Sequence, residues 1–157
     1  MNATSTNAGG YPASSMYTYI QNDIYNALPE ELRNIIIPTY EVSGHGSTSG
    51  ETNFTSTDKL YLLSTKEVWG KEGTSNQINY DTAEAETRQL DYYSNLGVST
   101  SSYSGATKKL NGADKSWWLR SATSDIPYNF YDVNTDGDWN YYAARNTGGV
   151  AVAFRIG

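Results

Sequence analysis

From Ser116 onward the chain reads SWWLRS, PYNFYDV, DWNYYAA and GVAVAFRI, with turn-forming residues between the stretches. Short aromatic or β-branched runs spaced in this way are strands of an antiparallel sheet. This closing block constrains the fold most, because everything before it reads differently. SSMYTYIQNDIYNAL carries Met16, Ile20, Ile24, Ala27 and Leu28 at helical spacing, with Ser14 or Ser15 as the N-cap. Pro29 suits the first turn of a second short helix, PEELRNII, which Pro38 ends. IPTYEV adds an extended piece, SGHGSTSGETNFTSTD reads as a Gly/Ser/Thr-rich loop, and KLYLLS is a short apolar strand. Ser64 with Glu67 three residues on forms a capping box over STKEVWG. Asp81 and Glu84 repeat that arrangement before a helix expected to run to about Asn95, terminated by Gly97. SSYSGATKKLNGADK reads as a second polar loop, and no internal repeat is present. Helices first and a sheet last predict an α+β fold. Residues 1–12 are expected to be a polar lead-in and residues 13–157 a single domain.

Composition removes several function classes. The formal charge is −6, with only 11 Lys and Arg and no basic run, so phosphate neutralisation of a nucleic acid is not expected. Anionic membrane surfaces are disfavoured for the same reason, and no apolar run approaches the length of a membrane span. The start, MNATSTNAGGYP, lacks the basic and apolar regions of a signal peptide. With no cysteine there is no disulfide, thiolate metal site or cysteine nucleophile. The apolar content is carried by 14 Tyr and 4 Trp against 3 Phe. Those residues combine area with a polar handle and suit interfaces.

The residues also bear on chemistry and on metals. His45 is the single histidine and lies in a Gly/Ser loop, with no GxSxG elbow to build a triad around it. Glu30–Glu31 and Glu84–Glu86 are paired carboxylates on predicted helices, where they complement the helix dipole. No phosphate-binding glycine loop exists, so the expectation is a non-enzyme without a cofactor. Asp132, Asn134, Asp136 and Gly137 match the first half of an EF-hand-type calcium loop, but its clamping acid position is Ala143 and its flanks read as strands. Asp136-Gly137 is instead a strong hairpin-turn signal. A calcium-dependent carbohydrate module using Asp132, Asn134 and Asp136 stands as the alternative reading, and a structural surface or tail module without a ligand as another.

Several segments together carry a family resemblance. Tyr11-Pro12-Ala13-Ser14 is followed by an amphipathic helix, then ALPEELRNII, DKLYLLSTKEVWG, WWLRSA and a terminal VAVAFRIG. This order resembles a bacterial and prophage domain family of uncharacterised function. Its pattern is GGW-x-x-S, DKL(F/W)LLS-x-x-EV, WWLRS and GV-(R/A)-(P/F)-A-F. That family looks like the C-type lectin fold and is similar to the variable proteins of diversity-generating retroelements. In those systems a reverse transcriptase mutates adenines near the 3′ end of a gene, and the fold displays the altered residues to a ligand. The resemblance implies N-terminal helices followed by a twisted antiparallel sheet with a C-terminal hairpin display surface. It further implies receptor recognition from a phage tail or a bacterial surface. Four departures narrow what it carries. Tyr11 stands where the family has Trp, and the chain begins after the extra N-terminal strand of family members, so a trimmed sheet or a piece of a longer protein is expected. The Glu-Pro-Asn and Trp-Asn-Asp runs that hold calcium in lectins are absent, as are the cysteine pairs of animal lectins.

One compositional check is independent of the resemblance. Randomising both adenines of an Asn codon cannot give Lys, Glu, Gln, Met or Trp. Lys, Glu, Gln and Met are missing from Ser121 to Gly157, where about 6 would be expected from their frequency upstream. Trp139 then belongs to the framework, and a sheet's dislike of Lys, Glu and Gln gives the plainer explanation.

Strand alternation sorts the display segment, about residues 123–148. Val133, Trp139 and Ala143 are expected to point inward. Tyr128, Phe130, Asp132, Asn140, Tyr142, Arg145 and Asn146 form the expected exposed, ligand-binding set. Tyr with short polar groups is paratope chemistry, and Arg145 with central tyrosines would be hot spots. The competing reading is that the tyrosines merely cover a sheet face. Trp117 with Leu119 and Trp118 with Arg120 should lie on opposite faces of their strand, with Arg120 paired to a carboxylate. Val150, Val152, Phe154 and Ile156 should help close the core. The expected partner is a protein or glycan receptor on another cell surface, without nucleic acid or membrane insertion.

Overall fold

Ser14 accepts a hydrogen bond from the Tyr17 backbone at 3.0 Å, and this cap starts the N-terminal helical run. In the computed structural model, which describes residues 1–70 and 78–157, the run comprises Ser15–Tyr19, a π-helical turn Ile20–Ile24, and Tyr25–Ala27. A second helix, Glu30–Ile35, follows Pro29. The chain then becomes extended as β1 (Ile36–Ile37) and β2 (Thr39–Ser43). Phe54–Asp58, expected to be loop, is a strand, β3, paired antiparallel along the whole of β2. Its Thr/Ser-rich sequence hides this, because the pairing is carried by the backbone at a half-exposed edge.

β4 (Tyr61–Leu62) leads into the Thr65–Trp69 helix, whose start is the expected capping box of Ser64 and Glu67. The long helix expected before Asn95 is not formed. Glu84–Glu86 is a 3-10 turn, and the helix proper is only Asp91–Asn95, followed by Gly97 at φ 68°. Asp81 does not cap a helix. Its buried carboxylate accepts from Thr65 Oγ1, Ser121 Oγ and the Ala83 backbone, so it ties three segments together. The second expected loop contains a hairpin, β5 (Lys108–Leu110) and β6 (Ala113–Lys115), turned by Asn111-Gly112 with both residues at positive φ.

The centre is a three-stranded antiparallel sheet of β7 (Trp117–Ala122), β8 (Asn129–Val133) and β9 (Trp139–Ala143), in that order. The remaining strands form two-stranded pairs: β10 (Val152–Ala153) with β4, and β11 (Arg155–Ile156) with β1. The architecture is therefore mixed α+β, with small antiparallel sheets and short helices. No helix among the described residues is long and apolar enough to cross a membrane.

Both faces of the central sheet are covered. Trp117, Leu119, Tyr131 and Val133 pack into one cluster with Val68, Trp69 and Tyr93, and Trp139 and Tyr141 lean against it. Trp118, Ala122, Phe130 and Ala144 pack into the other with Met1, Tyr11, Ile20 and Leu60. The alternation expected from sequence is thus correct in phase, and Val133 is fully buried. Phe130 nevertheless is wholly buried rather than displayed, because the N-terminal segment and helix lie over its face. The lead-in is part of that cover. Asn7 Nδ2 donates to the carbonyls of Thr123, Ile126 and Asn129 at 2.9–3.0 Å, and the Asn2 backbone donates to Ala144 O. The C-terminal expectation is also corrected. Val150, Phe154 and Ile156 are 37%, 38% and 61% exposed, because the chain ends in two-residue strands at the periphery. Val152 alone of that set packs on the core, against the second cluster.

Arg120 holds the elements in register. A bulge between Trp118 and Ala122 breaks the β7–β8 pairing there. The fully buried guanidinium donates through Nε to Val42 O and through Nη1 to Leu62 O, at 3.0 and 2.8 Å. It pairs with Glu67 at 2.5 Å and with Glu41 at 2.9 Å. Burial works against its charge, but Glu67 and Glu41 outweigh that and raise its pKa. Burial pushes the Glu41 carboxyl up to about 7, with Arg120 opposing the shift. The partner carboxylate expected from sequence is therefore a pair of them.

Candidate functional site at the end of the central sheet

The β8–β9 hairpin is the frame of the site. Asn134 N donates to Asp138 O and Gly137 N to Asn134 O, which closes the turn. Gly137 sits at φ 95°, and a Cβ there would overlap the Tyr103 carbonyl oxygen. Trp69 Nε1 donates to Gly137 O at 3.0 Å, so the tip is pinned to the body of the fold. Asn134 Oδ1 and Asp136 Oδ1 accept inside the turn, from the backbones of Thr135 and Asp138. Asp132 lies before the turn, on β8. Among the described residues no group of three or more His, Cys, Asp or Glu is placed to hold a metal ion.

The full register of β8 and β9 pairs Phe130 with Tyr142, Tyr131 with Tyr141, Asp132 with Asn140 and Val133 with Trp139. The tyrosines accordingly divide by parity. Tyr131 and Tyr141 meet edge to face at 6.1 Å over the first cluster and cover a sheet face, as the plainer reading holds. Tyr142 is 47% exposed and Tyr128 is 45% exposed. Arg145 and Asn146 are exposed and Asn140 is half-buried. Asp132 corrects the expectation of an exposed residue, since it is only 3% exposed. Trp118 stands directly opposite it on β7, and Asn140 opposite it on β9.

Beyond that buried carboxylate the surface is concave. A cavity of about 340 Å³ is lined by Asp132, Trp118, Tyr142, Asn146, Thr147 and Gly148, with Ser116 and Trp117 completing the wall. An adjoining depression of about 350 Å³ shares Trp118 and residues 146–148, and adds Arg145, Met16 and Tyr19. The structure thus brings Asp132, Tyr142 and Asn146 into one cavity and sets Arg145 beside it. Phe130 is beneath the surface. Burial raises the Asp132 pKa to about 7, with only a backbone hydrogen bond opposing the shift. His45 lines neither depression, and its Nδ1 lies 2.6 Å from Gly46 O.

Sequence reasoning treated Trp118 as scaffold and did not consider Ser116, Thr147 or Gly148. The signal for Trp118 was present: it shares a strand face with whatever pairs across from it, and that is Asp132. Residues 147–149 join the site because Gly149 exchanges backbone hydrogen bonds with Ser116 and Trp118. That contact has no local sequence signature.

The profile of the family described as Domain of unknown function (DUF6273) matches residues 1–157, and the chain belongs to that family. No curated protein and no solved structure matches the chain.

Proposed function

We propose that this DUF6273 domain is a non-enzymatic recognition module that binds a protein or glycan receptor through the end of its central sheet. The observation that carries the reading is the concave surface around Tyr142, Asn146 and Arg145, set on a hairpin pinned by Trp69 and Gly137. A rigid frame that presents aromatic, amide and guanidinium groups has the chemistry of a paratope. The likeness of the WWLRS-type sequence to lectin-fold variable proteins supports the same reading. So does the absence of Lys, Glu, Gln and Met after Ser121. On this account Tyr128, Tyr142, Arg145 and Asn146, with the half-buried Asn140, vary while the buried sheet stays fixed. The domain acts at a phage tail or a bacterial cell surface.

The test is a panel of immobilised glycans and purified cell-surface proteins, probed with the labelled domain in the presence and absence of EDTA. The account predicts binding that survives EDTA and is lost in Tyr142→Ala and Arg145→Ala, with far-UV circular dichroism unchanged. Binding abolished by EDTA would instead assign the surface to calcium. Turnover of any panel member would remove the non-enzymatic reading.

A further inference from the structure

The β5–β6 hairpin carries two charged cross-strand pairs, and they differ. Lys109 stands opposite Asp114 and bonds to it at 2.7 Å. Lys108 stands opposite Lys115. Strand alternation puts the two pairs on opposite faces, so Lys108 and Lys115 share one face with Cβ atoms about 5 Å apart. Like charges directly opposed in a sheet cost stability. Among the described residues no carboxylate pairs with either lysine, although the chain has 17 Asp and Glu against 11 Lys and Arg.

The core holds one of these ammonium groups in place. Lys108 Nζ lies 4.9 Å from the Trp117 ring centroid and 6.0 Å from that of Tyr93, and both rings are buried in the first cluster. Lys108 is half-buried, and burial lowers its pKa with no neighbouring carboxylate to offset the shift. Lys115 is exposed, and its ammonium rides on a flexible stem. Both lysines line a hollow of about 140 Å³ whose wall includes Trp117. An adjoining depression of about 280 Å³ shares Lys115 and adds Ser116 and Thr147, which carry hydroxyls. Neither lining includes an Asp or Glu.

That arrangement selects among ligands. A cation would add a third positive charge, and a neutral group would leave the repulsion in place. An oxyanion accepts from both ammonium groups and replaces the repulsion with charge-assisted hydrogen bonds. Two lysines are too few for a nucleic acid, whose affinity comes from several phosphate contacts at once. The hollow also lies below the range of drug-sized pockets, about 300–1,000 Å³, which suits one small group.

We propose that this hollow binds a single oxyanionic group, a phosphate or a carboxylate, between the ammonium groups of Lys108 and Lys115. The inference goes beyond the recognition reading above and does not rest on it.

The experiment follows the side-chain Cε signals of the ¹³C-lysine-labelled chain near neutral pH, with Lys108, Lys109 and Lys115 assigned from their Gln variants. Sodium phosphate and sodium acetate are titrated separately to millimolar concentrations, against sodium chloride at matched ionic strength. The Lys108 and Lys115 signals are expected to move saturably with one shared Kd in at least one of the two titrations. The Lys109 signal should stay in place. Which anion acts tells whether the group is phosphoryl or carboxyl. Lys115→Gln should weaken the affinity at least tenfold, the loss of one charge-assisted hydrogen bond, and Lys109→Gln should not. Because Lys115→Gln removes a like charge, it should melt no lower than the wild type in chloride, which separates lost binding from lost folding. Signals unmoved by both anions, or moved equally by chloride, would overturn the proposal. So would a Lys115→Gln chain that binds as tightly as the wild type, or a Lys109→Gln chain that is weakened as much.

Discussion

Replacing Asp132 by Asn should make the domain more stable in neutral and alkaline solution, by an amount that grows with pH. Asp132 is 3% exposed, with Oδ1 unpartnered, and burial raises its pKa from 3.8 to about 7. The sign follows from the direction of that shift. Below about pH 4 the carboxyl is protonated in both folded and unfolded chains and contributes no difference. As pH rises from there, the unfolded chain releases its proton while the folded chain retains it, so stability falls until the folded group ionises near 7. About three pKa units at 1.36 kcal/mol each give about 4 kcal/mol, an upper bound because water entry relieves part of it. Asn keeps the shape and cannot ionise. Glu41 titrates in the same window but is present in both proteins, so it cancels in the difference. Urea unfolding of the two proteins at roughly pH 4, 6 and 8 measures the gap. The variant should gain little at the lowest pH and a few kcal/mol at the highest. A gap that does not change with pH, or one that favours the wild type as pH rises, would refute the reasoning.

Arg120→Met strands Glu41 and Glu67 in the interior and should cost about 3–5 kcal/mol in urea unfolding near neutral pH. Arg120→Lys should not restore it, because one ammonium cannot reach Val42 O, Leu62 O and both carboxylates; full recovery would contradict the assignment. Asn7→Ala leaves the carbonyls of Thr123, Ile126 and Asn129 without that donor and should cost about 1–3 kcal/mol, with faster amide exchange through residues 123–129. Gly137→Ala collides with the Tyr103 carbonyl and strains a positive φ, so it should lower the melting temperature and shift the Trp69 indole N–H signal; an unshifted signal would show that the turn is not pinned.

Much of the frame was legible in the sequence because strand alternation is a short-range signal. Val133 and Trp139 do share a face with Ala143, and Asp132 does share one with Phe130, Asn140 and Tyr142. What alternation cannot say is which face meets water. Phe130 was assigned to the surface because nothing near it announces that Met1, Tyr11 and Ile20 fold over it from the far end of the chain. Residues 1–12 read as a polar lead-in outside the domain for a related reason: their anchoring rests on one buried Asn side chain and a few backbone bonds, which leave no periodic pattern. Phe54–Asp58 and the Lys108–Lys115 hairpin were missed because polar strands lack the apolar alternation that marks a strand, although Asn111-Gly112 carried the turn signal. Arg120 was placed correctly as the partner of a carboxylate. Its two partners come from β2 and from the helix after Ser64, and only the folded chain brings those together.

The most direct test of the account is to sequence the codons of residues 117–157 in many descendants of one founding cell or phage. The account predicts substitutions at adenines, concentrated in the codons of Tyr128, Asn140, Tyr142, Arg145 and Asn146 and sparing those of Trp117–Ala122 and Phe130. A stretch that stays invariant, or one whose changes fall equally on the buried strands, would contradict it.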